Sequence, residues 1–129
     1  MRSDGIWHPR LSQLVTAVGH GELIVVADAG LPVPPGVEPI DLLWRRGEPP
    51  LLPVVEALLA ECVVEAATVA DELVDVDMSA GLTRLLGGIP VGTVPHEHLK
   101  RLTGSARAIV RTGEAIPYAN VVLRAGVGF

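Results

Sequence analysis

Glu22-Leu23-Ile24-Val25-Val26-Ala27, closed by Asp28 and continued as Ala29-Gly30-Leu31-Pro32-Val33-Pro34-Pro35-Gly36, is the stretch on which the fold is read. The short aliphatic, β-branched run has the composition of a buried strand. Three prolines in the segment that follows permit neither helix nor central strand, so the strand feeds a stiff loop. In α/β sheets ligands gather at the carboxyl ends of strands, and Asp28 occupies such an end.

To the N-terminal side, Leu11, Leu14, Val15 and Val18 recur at helical spacing behind Pro9, and Gly19 stands where a cap would be; residues 9 to 19 read as a helix. To the C-terminal side, residues 37 to 43 read as a short strand. Residues 50 to 62 read as a helix on Leu51, Val54, Val55, Leu58 and Leu59. Residues 63 to 73 mix helix-favouring Ala and Glu with strand-favouring Val and Thr, and are assigned to strand. Ser79 is positioned to cap a short helix that reaches Leu86 and stops at Gly87-Gly88. Ile89 to Val94 is extended, Pro95 opens a helix over residues 96 to 102, and the runs 106 to 110 and 120 to 125 are strands. Helices alternating with short aliphatic strands, without repeat or linker, give an α/β architecture whose sheet is covered on both faces. The apolar ending Val127-Gly128-Phe129 is expected to dock on the body of the protein.

Composition narrows the function. A chain of 129 residues suits one domain that buries about two thirds of its unfolded surface. Hydrophobic residues make up 49% and aromatic residues 3%, so the core is aliphatic and no base-stacking platform is available. A net charge of −5, with no basic run beyond Arg45-Arg46 and Lys100-Arg101, offers no footprint for nucleic acid. Apolar residues 49 to 70 are broken by Glu56, Glu61 and Glu65, and no signal-type run follows Met1, so neither a membrane span nor secretion is expected. The single cysteine, Cys62, forms no internal disulfide and suits a reducing cytoplasm. A mean hydropathy of +0.43 in so small a chain points to self-association as the place where apolar surface is hidden.

Few residues are equipped for chemistry. His20 lies between Gly19 and Gly21 at a helix-to-strand turn, open to close approach by a ligand; its alternative is an ordinary surface histidine. Asp28 is either a ligand contact or a loop cap for Ala29-Gly30. His96 and His98 are two apart on a helix and point to different sides, and no Cys or carboxylate shares a metal-ligand spacing with them, so no metal site is assigned. Tyr118 and Asn120 are the only residues of their kinds and precede the last strand. No dinucleotide fingerprint, phosphate loop or nucleophilic triad is present. A carboxylate, two imidazoles, a phenol and an amide suit a polyhydroxylated small molecule better than a phosphate.

Gly19-His20, Asp28-Ala29-Gly30-Leu31-Pro32-Val33-Pro34, Ile40-Asp41-Leu42, His96-Glu97, Arg111-Thr112-Gly113-Glu114 and Pro117-Tyr118-Ala119-Asn120-Val121-Val122-Leu123 together resemble the ribose pyranase and L-fucose mutarotase family, the first long block its ribose branch. His8 and Pro39 stand where that family commonly has Asn and Arg. The resemblance implies a single three-layer α/β/α domain over residues 1–129 with a largely parallel or mixed sheet. It further implies cofactor-free interconversion of the pyranose and furanose forms of D-ribose, and ring-shaped homodecamers with sites near subunit boundaries. By matching motif, His20 resembles the acid catalyst, and Asp28, His96, Tyr118, Ala119 and Asn120 the sugar-binding positions. Opening a hemiacetal requires a proton given to the ring oxygen and one taken from the anomeric hydroxyl. His20, held by Asp28, is the expected donor. Mutarotation of L-fucose or another monosaccharide, and a non-catalytic sugar-binding ring, are the alternatives.

Overall fold

The computed structural model describes all 129 residues, Met1 to Phe129. In chain order the elements are α1 (Pro9–Ala17), β1 (Leu23–Ala27), β2 (Glu38–Asp41), α2 (Leu51–Glu61), β3 (Val64–Ala70), α3 (Val76–Leu86), β4 (Val91–Val94), α4 (His96–Thr103), β5 (Ala108–Arg111) and β6 (Val121–Ala125). The strands form one mixed sheet in the order β2-β5-β1-β6-β3-β4. β6 pairs antiparallel with both β1 and β3, while β1, β5 and β2 are mutually parallel and β3 is parallel to β4. Five strands therefore share one direction and β6 alone is reversed.

β1 shows why the sheet is covered on both sides. Its residues alternate by the period of two, so Ile24 and Val26 join the cluster that holds Leu11 and Leu14 of α1, Leu51 to Leu58 of α2 and Met78, Leu82 and Leu86 of α3. Val25 and Ala27 face the opposite cluster, built by Leu99 of α4 with Leu31 and Val37 from the proline loop. Three helices thus cover one face, and α4 with a loop covers the other. No helix is long and apolar enough to cross a membrane.

Several expectations are corrected at element boundaries. α1 ends at Ala17 with Val18, not Gly19, as its cap. β3 stops at Ala70, where the Asp71 N–H donates to the Val94 carbonyl (2.7 Å) and the chain turns away. The cap of α3 is Asp75 rather than Ser79: the Asp75 carboxylate accepts from the Met78 N–H (2.8 Å) and starts the helix at Val76, four residues earlier than expected. The tail does not dock within the chain: Gly126 still donates to the Val63 carbonyl (2.9 Å), but Phe129 is fully exposed because the chain has by then run past the end of the sheet. Gly87 does stop α3, in the left-handed region at φ 56°.

The segment after β5 is locked to α2 by one carboxylate. Glu114 is 9% exposed; one of its oxygens accepts from the Leu51 N–H (3.1 Å) and the other from the N–H groups of Ala115 (3.1 Å) and Ile116 (3.4 Å). Pro50 supplies no side-chain cap to α2, so Glu114 provides one from 63 residues away. Next to it Gly113 admits the 45–48 turn: a Cβ there would lie 2.4 Å from the Glu48 nitrogen. Glu114→Ala strands these donors and is expected to lower the unfolding free energy by ~2 kcal/mol, read as a shift of the urea midpoint, with Glu114→Gln costing less because one acceptor oxygen remains.

Candidate functional site

The reversal of β6 puts its first residues beside the last residues of β1. Val26 pairs with Val121, so Asn120 falls next to Asp28. The fully buried Asn120 side chain accepts from the Asp28 N–H through Oδ1 (2.8 Å) and donates through Nδ2 to Asp28 Oδ2 (3.2 Å). Asp28 Oδ1 in turn accepts from the Gly30 N–H (2.9 Å), so the carboxylate is fixed at both oxygens. Asp28, Gly30, Leu31, Pro32, His96, Pro117 and Tyr118 bound an open cavity of about 250 Å³. That is below the range of about 300–1,000 Å³ typical of drug-sized ligands and fits a smaller polar molecule.

On the far wall, His96 opens α4. Its backbone N–H donates to both oxygens of Glu72 (3.0 Å each), and its ring meets that of Tyr118 edge-on, with centroids 5.0 Å apart. Its Nδ1 is buried without a hydrogen-bond partner, a cost of about 1–3 kcal/mol unless a ligand supplies one. Tyr118 is the one non-glycine residue with positive φ, 61°, a strained backbone that holds its ring over the cavity. Ala119 is fully buried, with its methyl group in the larger core cluster and its N–H donating to the Ile116 carbonyl (3.3 Å), so it stands behind the cavity wall.

His20 sits at the other end of the sheet. β1, which separates it from Asp28, has five residues, a span of about 17 Å. The expectation that Asp28 holds His20 is therefore overturned: Asp28 is bonded to Asn120, whereas His20 Nε2 lies 3.0 Å from Glu65 Oε2. Arg124 Nε contacts the second Glu65 oxygen at 2.9 Å. Nearby, the Glu22 carboxyl is held below its usual range by the Gly19 N–H and by Arg107. No three His, Cys, Asp or Glu side chains converge as a group able to hold a metal ion.

The sequence model of the RbsD / FucU transport protein family matches residues 1–128. The chain belongs to this family. It is 53% identical over 131 aligned residues to a D-ribose pyranase of Symbiobacterium thermophilum and 46% identical over 131 to one of Laribacter hongkongensis, with all of each chain covered. Among solved structures it superposes on Bacillus subtilis RbsD complexed with D-ribose at a TM-score of 0.96, with 39% identity and both chains fully covered. The fucose mutarotase of Streptococcus pneumoniae in complex with L-fucose shares the fold at a TM-score of 0.82 and 21% identity, over 96% of this chain and all of that one.

Of the residues singled out in the sequence of this RbsD / FucU member, Asp28, His96, Tyr118, Ala119 and Asn120 come together and His20 does not. His8 is a helix cap, its Nδ1 accepting from the Leu11 N–H (3.2 Å), and His98 is an exposed residue of α4. Glu65, Arg124 and Glu72 were missed. Glu72 follows a strand and Glu65 and Arg124 alternate with apolar neighbours, the ordinary pattern of a solvated strand face, so nothing in the local sequence marked them. Cys62 is half-buried, and burial followed by the nearby Glu61 pushes its thiol up from the ordinary range.

Proposed function

We propose that this protein is a cofactor-free isomerase that interconverts the pyranose and furanose forms of D-ribose, a single domain over residues 1–129 working as a homodecamer in the cytoplasm. The observation that carries the reading is the full-length likeness to RbsD complexed with D-ribose, joined to a small cavity whose wall leaves His96 Nδ1 unpaired. In this reading sugar hydroxyls complete the bonding of Asp28, His96 and Tyr118, with Asn120 and the backbone of Ala119 fixing that wall. His20 gives a proton to the ring oxygen as the anomeric hydroxyl gives one to water; the open aldehyde rotates, and reclosure through another hydroxyl returns a proton to His20 while the carbonyl oxygen takes one back from water.

The two ends of β1 are too far apart for one chain to present both His20 and the Asp28 cavity to one pentose. The working site is therefore assembled from two subunits, one contributing His20 and the other the cavity. Apolar groups exposed on the single chain, among them Trp7, Val63, Val127 and Phe129, supply surface for such an assembly. Saturation-transfer NMR tests the reading. Added protein is expected to accelerate exchange between ribose ring forms, and exchange should survive exhaustive chelation. Acceleration of L-fucose anomer exchange alone would mark a mutarotase, and binding without exchange a sugar-binding ring.

A further inference from the structure

His20 is poorly held by its own loop. Gly21 beside it lies at φ +82°, and the His20 side chain is 56% exposed. The one side-chain contact that fixes the ring runs to Glu65 (3.0 Å). A carboxylate only accepts, so Nε2 carries the hydrogen of that bond and Nδ1 is left free. Glu65 is itself placed by an irregularity. Val64 pairs with Ala125 and Ala66 with Arg124, so the β3–β6 register shifts across Glu65 and leaves it as the extra residue of a bulge. Bulges re-aim a side chain locally, and here the carboxylate is aimed at the His20 loop while Arg124 on the partner strand steadies it.

We infer that Glu65 is the positioning residue for His20, holding the imidazole by Nε2 so that Nδ1 is the nitrogen presented to the sugar. This rests on His20 being the acid of the proposed ring opening. The carboxylate does not take the proton; it remains paired with Arg124 while His20 cycles, which parallels the role of carboxylates behind histidines at metal and hydrolytic sites.

The test compares His20→Ala, Glu65→Ala and Glu65→Gln by ribose saturation-transfer NMR over a range of ribose concentrations. Glu65→Ala is expected to slow exchange at saturating ribose about 10–100-fold, the usual cost of removing an orienting partner, with half-saturation changed by less than about twofold. Glu65→Gln, whose amide oxygen still accepts from Nε2, should recover most of the rate. Should Glu65→Ala fail to fold, a crystal structure of the intact protein with ribose decides, since Nδ1 and not Nε2 must face the sugar. The inference is overturned by Glu65→Ala exchanging at the wild-type rate, by a loss confined to half-saturation, by Glu65→Gln as slow as Glu65→Ala, or by Nε2 facing the sugar. Retained exchange in folded His20→Ala instead removes the proposed reading; loss in His20→Ala with none in Glu65→Ala removes only this inference.

Discussion

Mixing His20→Ala chains with Asp28→Asn chains, each inactive alone, is expected to restore ribose ring exchange to about one quarter of the wild-type rate once subunits have been scrambled by mild dissociation and reassembly. In the proposed reading each single variant lacks one essential part: His20→Ala the proposed proton donor, a loss of about 10²–10⁴-fold for general acid catalysis, and Asp28→Asn the proposed charged acceptor that Asn120 and the Gly30 N–H hold in place. Because the two residues lie at opposite ends of β1, a site built across a subunit boundary draws them from different chains. Random mixing in equal amounts makes half the chains intact at each end, hence one boundary in four intact at both. A mixture no more active than its parents would show that each chain supplies both groups to the same site. Neither variant disturbs a core position, so both are expected to fold and the readout is activity alone.

Asn120→Leu is expected to be the most damaging single change in the cavity wall. The side chain is fully buried, and its amide gives and receives a hydrogen bond with Asp28. Leucine of similar size leaves the Asp28 N–H without an acceptor and frees the carboxylate to swing. Each stranded buried group costs about 1–3 kcal/mol, so a lower thermal midpoint accompanies the loss of ribose exchange. Calorimetry and saturation transfer on the same sample check both. Asn120→Leu with a wild-type midpoint and wild-type exchange would mean that the Asp28–Asn120 pair holds nothing.

What was legible in the sequence was the part enforced locally. The β1 run with its proline loop, the helices opened after Pro50 and Pro95, and the stop at Gly87 each depend on a residue whose own backbone restriction acts within a few positions. The start of α3 was misread because Val74 and Val76 look like strand residues, yet both are exposed and Asp75 between them caps a helix. At the site, the cavity residues were found through a resemblance, while their coupling was hidden: Asp28 and Asn120 are 92 positions apart, and only the reversal of β6 brings them together. The partner of His20 was hidden for the same reason. Glu65 lies 45 positions away, and its aim depends on a register shift that no composition or period records.

The reversed strand also governs how the molecule can lose its chemistry. β6 sits inside the sheet, fourth from the β2 edge and third from the β4 edge, bonded along both sides, with Asn120 just before its start and Arg124 near its end. Fraying and loop opening begin at edges and termini and cost least there, whereas a central strand opens only with the whole sheet. The Asp28 cavity, through Asn120, and the proposed acid His20, through Glu65 and Arg124, are thus both fastened to the slowest-opening part of the fold, whereas His96 stands at the start of α4. Partial unfolding of β2 is expected to leave both ends of β6 in place, whereas opening of β4 carries His96 with it, because α4 begins two residues beyond the end of that strand.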